Sequence, residues 1–122
     1  MARKPEKASN QEDHVPFQVE ELSLQLIESL APLMPRLKQR DKELADQLRR
    51  AASSIGLNVA EAALSDPGNR RARLFSAAGS ANETKHALRQ AVAWQILSAT
   101  NAEPALALLK RIIAILWRMT RG

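Results

Sequence analysis

Apolar residues recur along this chain in steps of three and four, most clearly from Leu44 to Ala62. Leu44, Leu48, Ala51, Ile55, Asn58 and Ala62 fall on one stripe at 100° per residue, which predicts a helix of about five turns with one buried face. Ala45, Ala52, Gly56 and Ala63 flank the stripe, and side chains this small let another helix approach closely. Glu43, Gln47, Arg50, Ser54 and Glu61 make a polar ridge on the other side. Asn58 interrupts the apolar stripe. A buried amide costs about 1–3 kcal/mol unless it is hydrogen-bonded, so a neighbouring helix is expected to satisfy it.

The same period predicts three further helices. Val19, Leu22, Leu26, Leu30 and Leu33 mark the first, which begins at Phe17 and ends or kinks near Ala31, because Pro32 and Pro35 each remove a backbone donor. Leu37 can continue its stripe. After the second helix, Ser65-Asp66-Pro67-Gly68 reads as a break followed by a capped start. The third helix is then expected over about 67–98, with Leu74, Ala78, Ala81, Leu88, Val92 and Ile96 buried. Gly79 sits in its middle at a cost of about 1 kcal/mol relative to alanine, and close packing is the expected compensation. Thr100-Asn101 punctuates the chain, and Pro104 fits the first turn of a fourth helix over about 102–120 that buries Ala105, Leu108, Leu109, Ile112, Leu116 and Met119.

No segment alternates with the period of a strand, so the fold class is all-α. Four amphipathic helices with short connections pack most simply as an antiparallel up-down-up-down four-helix bundle. Residues 17–122 form this bundle, and residues 1–16, which mix charges and offer almost nothing to bury, are expected to be a disordered polar tail. Leu57 and Leu64 lie opposite the main face of the second helix, and Phe75, Trp94 and Leu97 lie off that of the third. Surplus apolar surface of this kind marks a partner interface, and self-association into a homo-oligomer is expected.

Composition narrows the class. A chain of 122 residues is one domain, large enough to bury a core without staples. Cysteine is absent, which removes disulfides and thiolate ligands and fits a reducing compartment. No apolar run approaches the length of a bilayer crossing, and the first sixteen residues hold no hydrophobic stretch, so no membrane partner is expected and a cytoplasmic location is. The net charge of +5 is uneven. Residues 17–35 carry only Glu20, Glu21 and Glu28, whereas everything from Arg36 onward is net basic, a bias toward polyanions or simply a solvated cationic surface.

Three constellations could carry chemistry. Catalysis needs a nucleophile beside a base, or clustered ligands for a metal. The two histidines, His14 and His86, are isolated in sequence, and no metal-binding pair or phosphate loop occurs, so no enzyme, metal or cofactor is expected. The second constellation joins Arg50, Ser54, Asn58 and Glu61 on the second helix to Ser80 and Glu83 on the third. Ser80 or Glu83 is expected to satisfy Asn58, and Arg50 to find a carboxylate. Such a set either fixes helix register and subunit contact or serves as a functional site, and the structural role is the more common. The third is basic: Arg70, Arg71 and Arg73 crowd the start of the third helix, and Lys110, Trp117 and Arg121 share a stripe on the fourth, with Arg111 and Arg118 beside it. Cations neutralise phosphates and an exposed ring can stack on a base, so these residues are candidates for binding RNA or DNA; a merely solvated face, or Trp117 packed in a subunit contact, is the plainer alternative.

The segments Gln47-Leu48-Arg49-Arg50-Ala51, Ser54-Ile55, Asn58-Val59-Ala60-Glu61, then Phe75, Ala78, Gly79-Ser80 and Glu83, resemble a family of four-helix-bundle proteins. That family includes proteins encoded in intervening sequences of bacterial large-subunit ribosomal RNA genes and the accessory variability determinants of diversity-generating retroelements. The chain has Ala62 where the family usually has glycine, and it lacks the usual Phe-Pro between the first two helices. The resemblance implies a homopentameric barrel of bundles and, in the retroelement branch, a basic surface that binds nucleic acid and a reverse transcriptase. The resulting expectation is a noncatalytic oligomeric interaction or scaffold protein that binds nucleic acid. The alternative is a protein–protein assembly module with no nucleic-acid role.

Overall fold

The computed structural model describes the backbone of residues 3–121 and the side chains of residues 16–121. Its elements are α1 (Arg3–Leu30), a short 3-10 turn (Ala31–Leu33), α2 (Met34–Arg40), α3 (Lys42–Ala63), α4 (Pro67–Ala93) and α5 (Ala99–Arg121). No strand occurs among the described residues. α1 starts at Arg3 rather than at Phe17, so its backbone is helical through residues 3–16, where the sequence reading expects a polar tail; the side chains of that stretch, except for Pro16, lie outside the described ones.

The helices close into an up-down-up-down bundle. α1 packs on α3 and α5, α3 on α4, and α4 on α5, which leaves α1 and α4 diagonal; α2 folds against α3. Val19, Leu26, Leu37, Leu48, Ile55, Leu88, Leu109, Ile112 and Leu116 are fully enclosed along the axis. α3 and α4 share the most extensive contact, and about half of the side chains they bury are alanine: Ala45, Ala51, Ala52 and Ala62 from one, Ala77, Ala81, Ala87 and Ala91 from the other. Alanine lets two helices approach until backbone and Cβ atoms touch, so dispersion contacts accumulate with little loss of side-chain entropy. Of the small flank expected on this helix, Ala45 and Ala52 are buried, but Ala63 in the last turn is exposed.

Local chemistry sets the breaks. Pro32 and Pro35 tighten the chain into the 3-10 turn, and Leu37 beyond it returns to the core. Asp41 in extended backbone caps α3, its side chain accepting from the Leu44 N–H at 3.0 Å. Asp66 caps α4 in the same way, with Pro67 in the first turn. Hydrogen bonds from the backbone and side-chain amides of Asn69 hold the Asp66 carboxyl below its ordinary value of 3.8.

The α4–α5 connection departs from the sequence reading. α4 ends at Ala93 rather than near Ser98, because Gln95 takes up a left-handed conformation (φ 63°). The Gln95 N–H then donates to the Val92 carbonyl and the Ile96 N–H to the Ala91 carbonyl, both at 2.9 Å, the pairing of a helix stop that usually carries glycine. Ile96 and Leu97 turn back into the core, so Leu97 is buried rather than part of an outer patch. Arg36 fastens this connection from α2, its Nε donating to the Ile96 carbonyl at 2.8 Å. α5 starts at Ala99 rather than Ala102, with Ser98 accepting from the Asn101 N–H at 3.0 Å; Pro104 therefore lies beyond the first turn.

Gly79 is also a correction. A Cβ built on it meets no atom within 4 Å, so no packing inside this chain compensates for the glycine. Gly79→Ala is therefore expected to raise the stability of the single chain by about 1 kcal/mol, measured by thermal or urea unfolding. A loss would show that the position is crowded.

Candidate nucleic-acid interface

α3 and α4 do bring the expected polar set together, but in a different order of contacts. Asn58 is half-buried, and its Nδ2 donates to the Ser54 carbonyl and to Ser54 Oγ, each at 2.9 Å. Ser80 Oγ donates across the helix pair to Ser54 Oγ at 2.9 Å. Ser54 thus stands between Asn58 and Ser80, so neither Ser80 nor Glu83 bonds the amide directly. The local i−4 bond is within reach of any asparagine one turn on and removes the need for a cross-helix partner. Glu83 and Arg50 are exposed, and no ion pair joins Arg50 to a carboxylate among the described residues. Glu61 instead pairs with Arg73 at 2.9 Å, with both side chains half exposed, a geometry worth at most about 1 kcal/mol in water.

The buried hydroxyls are accounted for within single helices. Ser23, Thr84 and Thr120 donate to the carbonyls of Glu20, Ser80 and Trp117 at 2.7, 2.7 and 2.9 Å. No buried side-chain polar atom among the described residues lacks a partner. The network on α3 and α4 therefore contains no unpartnered polar atom that would point to a missing ligand.

The basic residues fall into two groups, one at the start of α4 and one running from the middle of α5 to its end, which lies beside the start of α4. On α4, Arg73 is engaged by Glu61, and Arg71 lies over the Phe75 ring at 5.5 Å; Arg70 points into solvent. On α5, Lys110, Arg111, Trp117, Arg118 and Arg121 are all exposed. Trp117 is 52% accessible, and the Arg121 guanidinium lies 5.3 Å from its ring centroid, within range of a cation–π attraction. Acidic residues are absent from Pro104 to Arg121; the nearest on α5 is the exposed Glu103, two turns before Lys110.

Sequence reasoning missed a second basic run. Arg71, Phe75, Ala78, Asn82, Lys85 and Arg89 recur on α4 in steps of four and three, and all but the half-buried Ala78 are exposed. The spacing test that located the buried stripes would have found it had it been applied to the outer faces. Elsewhere, a groove of about 590 Å³ runs between α1, α2 and α3, apolar along Ile27, Leu30 and Met34 and rimmed by Lys38, Asp46 and Arg49. No group of three or more histidine or acidic side chains among the described residues is placed to hold a metal, and His86 is exposed. No helix among the described residues is long and apolar enough to cross a membrane.

The family model described as 23S rRNA-intervening sequence protein matches residues 17–118, from Phe17 in α1 almost to the end of α5. The chain belongs to that family. The four-helix frame is shared with a crystal structure of a protein of unknown function from the S23 ribosomal protein family of Bacteroides thetaiotaomicron. That structure superposes with a TM-score of 0.77 at 23% identity, over 85% of this chain and 99% of the other. At that identity the match speaks for the fold alone. No curated protein matches the chain. Membership of the 23S rRNA-intervening sequence family bears out the resemblance carried by the blocks on α3 and α4, and the shared frame bears out the bundle.

Proposed function

We propose that this protein is a noncatalytic, self-associating bundle that binds single-stranded nucleic acid along α5. The observation that carries the reading is the outer face of α5: Lys110, Arg111, Arg118 and Arg121 surround an exposed Trp117, with no carboxylate between Pro104 and Arg121. The cations can neutralise successive phosphates, and a base can stack on the indole or on the Arg121 guanidinium plane without sequence being read. Arg70 extends the surface at the same end, whereas Arg71 and Arg73 are engaged within the chain by Phe75 and Glu61. Exposed Leu57, Leu64, Phe75 and Trp94 support self-association, since patches of this kind rarely stay open to water. An accessory role beside a reverse transcriptase would use the same cationic face to share a strand with the polymerase.

A salt titration with a fluorescent single-stranded oligonucleotide tests the binding. If all of Lys110, Arg111, Arg118 and Arg121 contact phosphates, affinity falls about 50-fold between about 50 and about 200 mM salt. Arg118→Glu with Arg121→Glu should abolish binding at low salt while leaving the helical circular dichroism unchanged. No binding by the parent chain at low salt overturns the nucleic-acid reading and favours an assembly module with a protein partner.

A further inference from the structure

The outward face of α1 is acidic and apolar. Phe17, Glu21, Leu24 and Glu28 follow one another in steps of four and three, all exposed, and residues 17–35 contain no cation. The outward face of α4 repeats the same steps with the opposite charge, through Arg71, Phe75, Ala78, Asn82, Lys85 and Arg89. Because α1 and α4 are diagonal in the bundle, these two faces lie on different sides of the molecule and cannot meet within one chain.

Their heights agree. An added Cβ on Gly56 of α3 would stand 2.6 Å from Ser23 Oγ of α1, and Ser54 of α3 bonds Ser80 of α4 at 2.9 Å. Ser23 is therefore level with the turn of α4 around Ala78. Both helices start at the same end and rise about 1.5 Å per residue, so Glu28 is within about one turn of Lys85 in height, and Glu21 within about one turn of Phe75.

We infer that the acidic face of α1 in one copy docks on the cationic face of α4 in a second copy, with the two bundles side by side and parallel. Phe17 and Leu24 pack beside Phe75 and Ala78, while Glu21 and Glu28 meet Arg71, Lys85 and Arg89 at the rim. The contact joins two different patches, so it is head-to-tail, and it generates a ring when the rotation between neighbours closes. It rests on the self-association proposed above and leaves the cations of α5 free for a strand.

Sedimentation velocity of the full chain tests it with three variants, each checked for parent-like helical circular dichroism. Glu21→Lys with Glu28→Lys, and separately Lys85→Glu with Arg89→Glu, should each reduce the assembly to the mass of one chain, 13.5 kDa. Combining all four substitutions restores opposite charges across the contact and should restore the assembly. If the parent assembles and either pair of reversals leaves its mass unchanged, or if the fourfold variant stays monomeric, the α1–α4 contact is wrong while self-association stands, and the acidic face then belongs to another partner. A parent chain that is monomeric at high concentration removes self-association itself, and this contact with it.

Discussion

Leu48→Ala is expected to cost the chain about 2–5 kcal/mol of folding free energy. Leu48 is fully enclosed near the middle of α3, and α3 touches α1, α2 and α4, so the lost atoms leave a cavity at the junction of several elements. Part of the cost is the transfer of the removed methyl groups, and the rest depends on how far the surroundings collapse. Collapse should be limited here, because the small residues of α3 and α4 already hold those helices in close contact. A domain of this size has about 5–15 kcal/mol in total, so the upper end of the range would leave a substantial unfolded fraction. Urea unfolding of the single chain gives the number. Leu64→Ala, at a side chain 92% exposed, serves as the comparison and should shift the same chain by less than about 0.5 kcal/mol. Similar losses for the two leucines would mean that the stripe through Leu44, Leu48 and Ile55 does not mark the core.

That stripe was legible in the sequence because burial imposes the helical period on consecutive turns, and the same holds for Leu26, Leu88, Leu109 and Leu116. The breaks at Pro32 and at Asp66-Pro67 were legible because proline and a capping carboxylate act within a few residues of themselves. The end of α4 was not. Gln95 occupies a left-handed position that glycine would advertise, and Ile96 keeps the apolar spacing past the true stop, since it is buried by the turn rather than by the helix. The partner of Asn58 was misread for a related reason: the helix period fixes which face a residue shares, but not whether its amide bonds one turn back or across to a neighbour. Gly79 shows the limit from the other side. A glycine in a helix interior signals a compensation somewhere, and its sequence position does not say whether that lies inside the chain or beyond it. The candidate cations are all exposed, yet their division follows from contacts the sequence reading did not weigh: Arg73 with Glu61 across two helices, and Arg71 with Phe75 one turn along α4.

Gly56→Leu should be at least as damaging as a core truncation, by the opposite mechanism. At Gly56 α1 lies close against α3: a single added Cβ already lies 2.6 Å from Ser23 Oγ and 3.5 Å from Ser23 Cβ. Ser23 is buried, and its hydroxyl bonds the Glu20 carbonyl at 2.7 Å, so it cannot swing aside without leaving that bond. For alanine the conflict is mild. The gain in helix propensity, about 1 kcal/mol, offsets the loss of one hydrogen bond of similar worth. Removing the hydroxyl in a Gly56→Ala, Ser23→Ala chain should therefore give a protein more stable than Gly56→Ala alone, a coupling that a double-mutant cycle reads directly. Leucine leaves no such escape, because its branch must push α1 away from α3 and open the interior between them. The expected loss is about 3 kcal/mol or more in urea unfolding, with the surrounding core loosened as well. Parent-like stability for Gly56→Leu would mean that the two helices do not touch at this level, and the registration of α1 against α4 that runs through Gly56 and Ser54 would lose its first link.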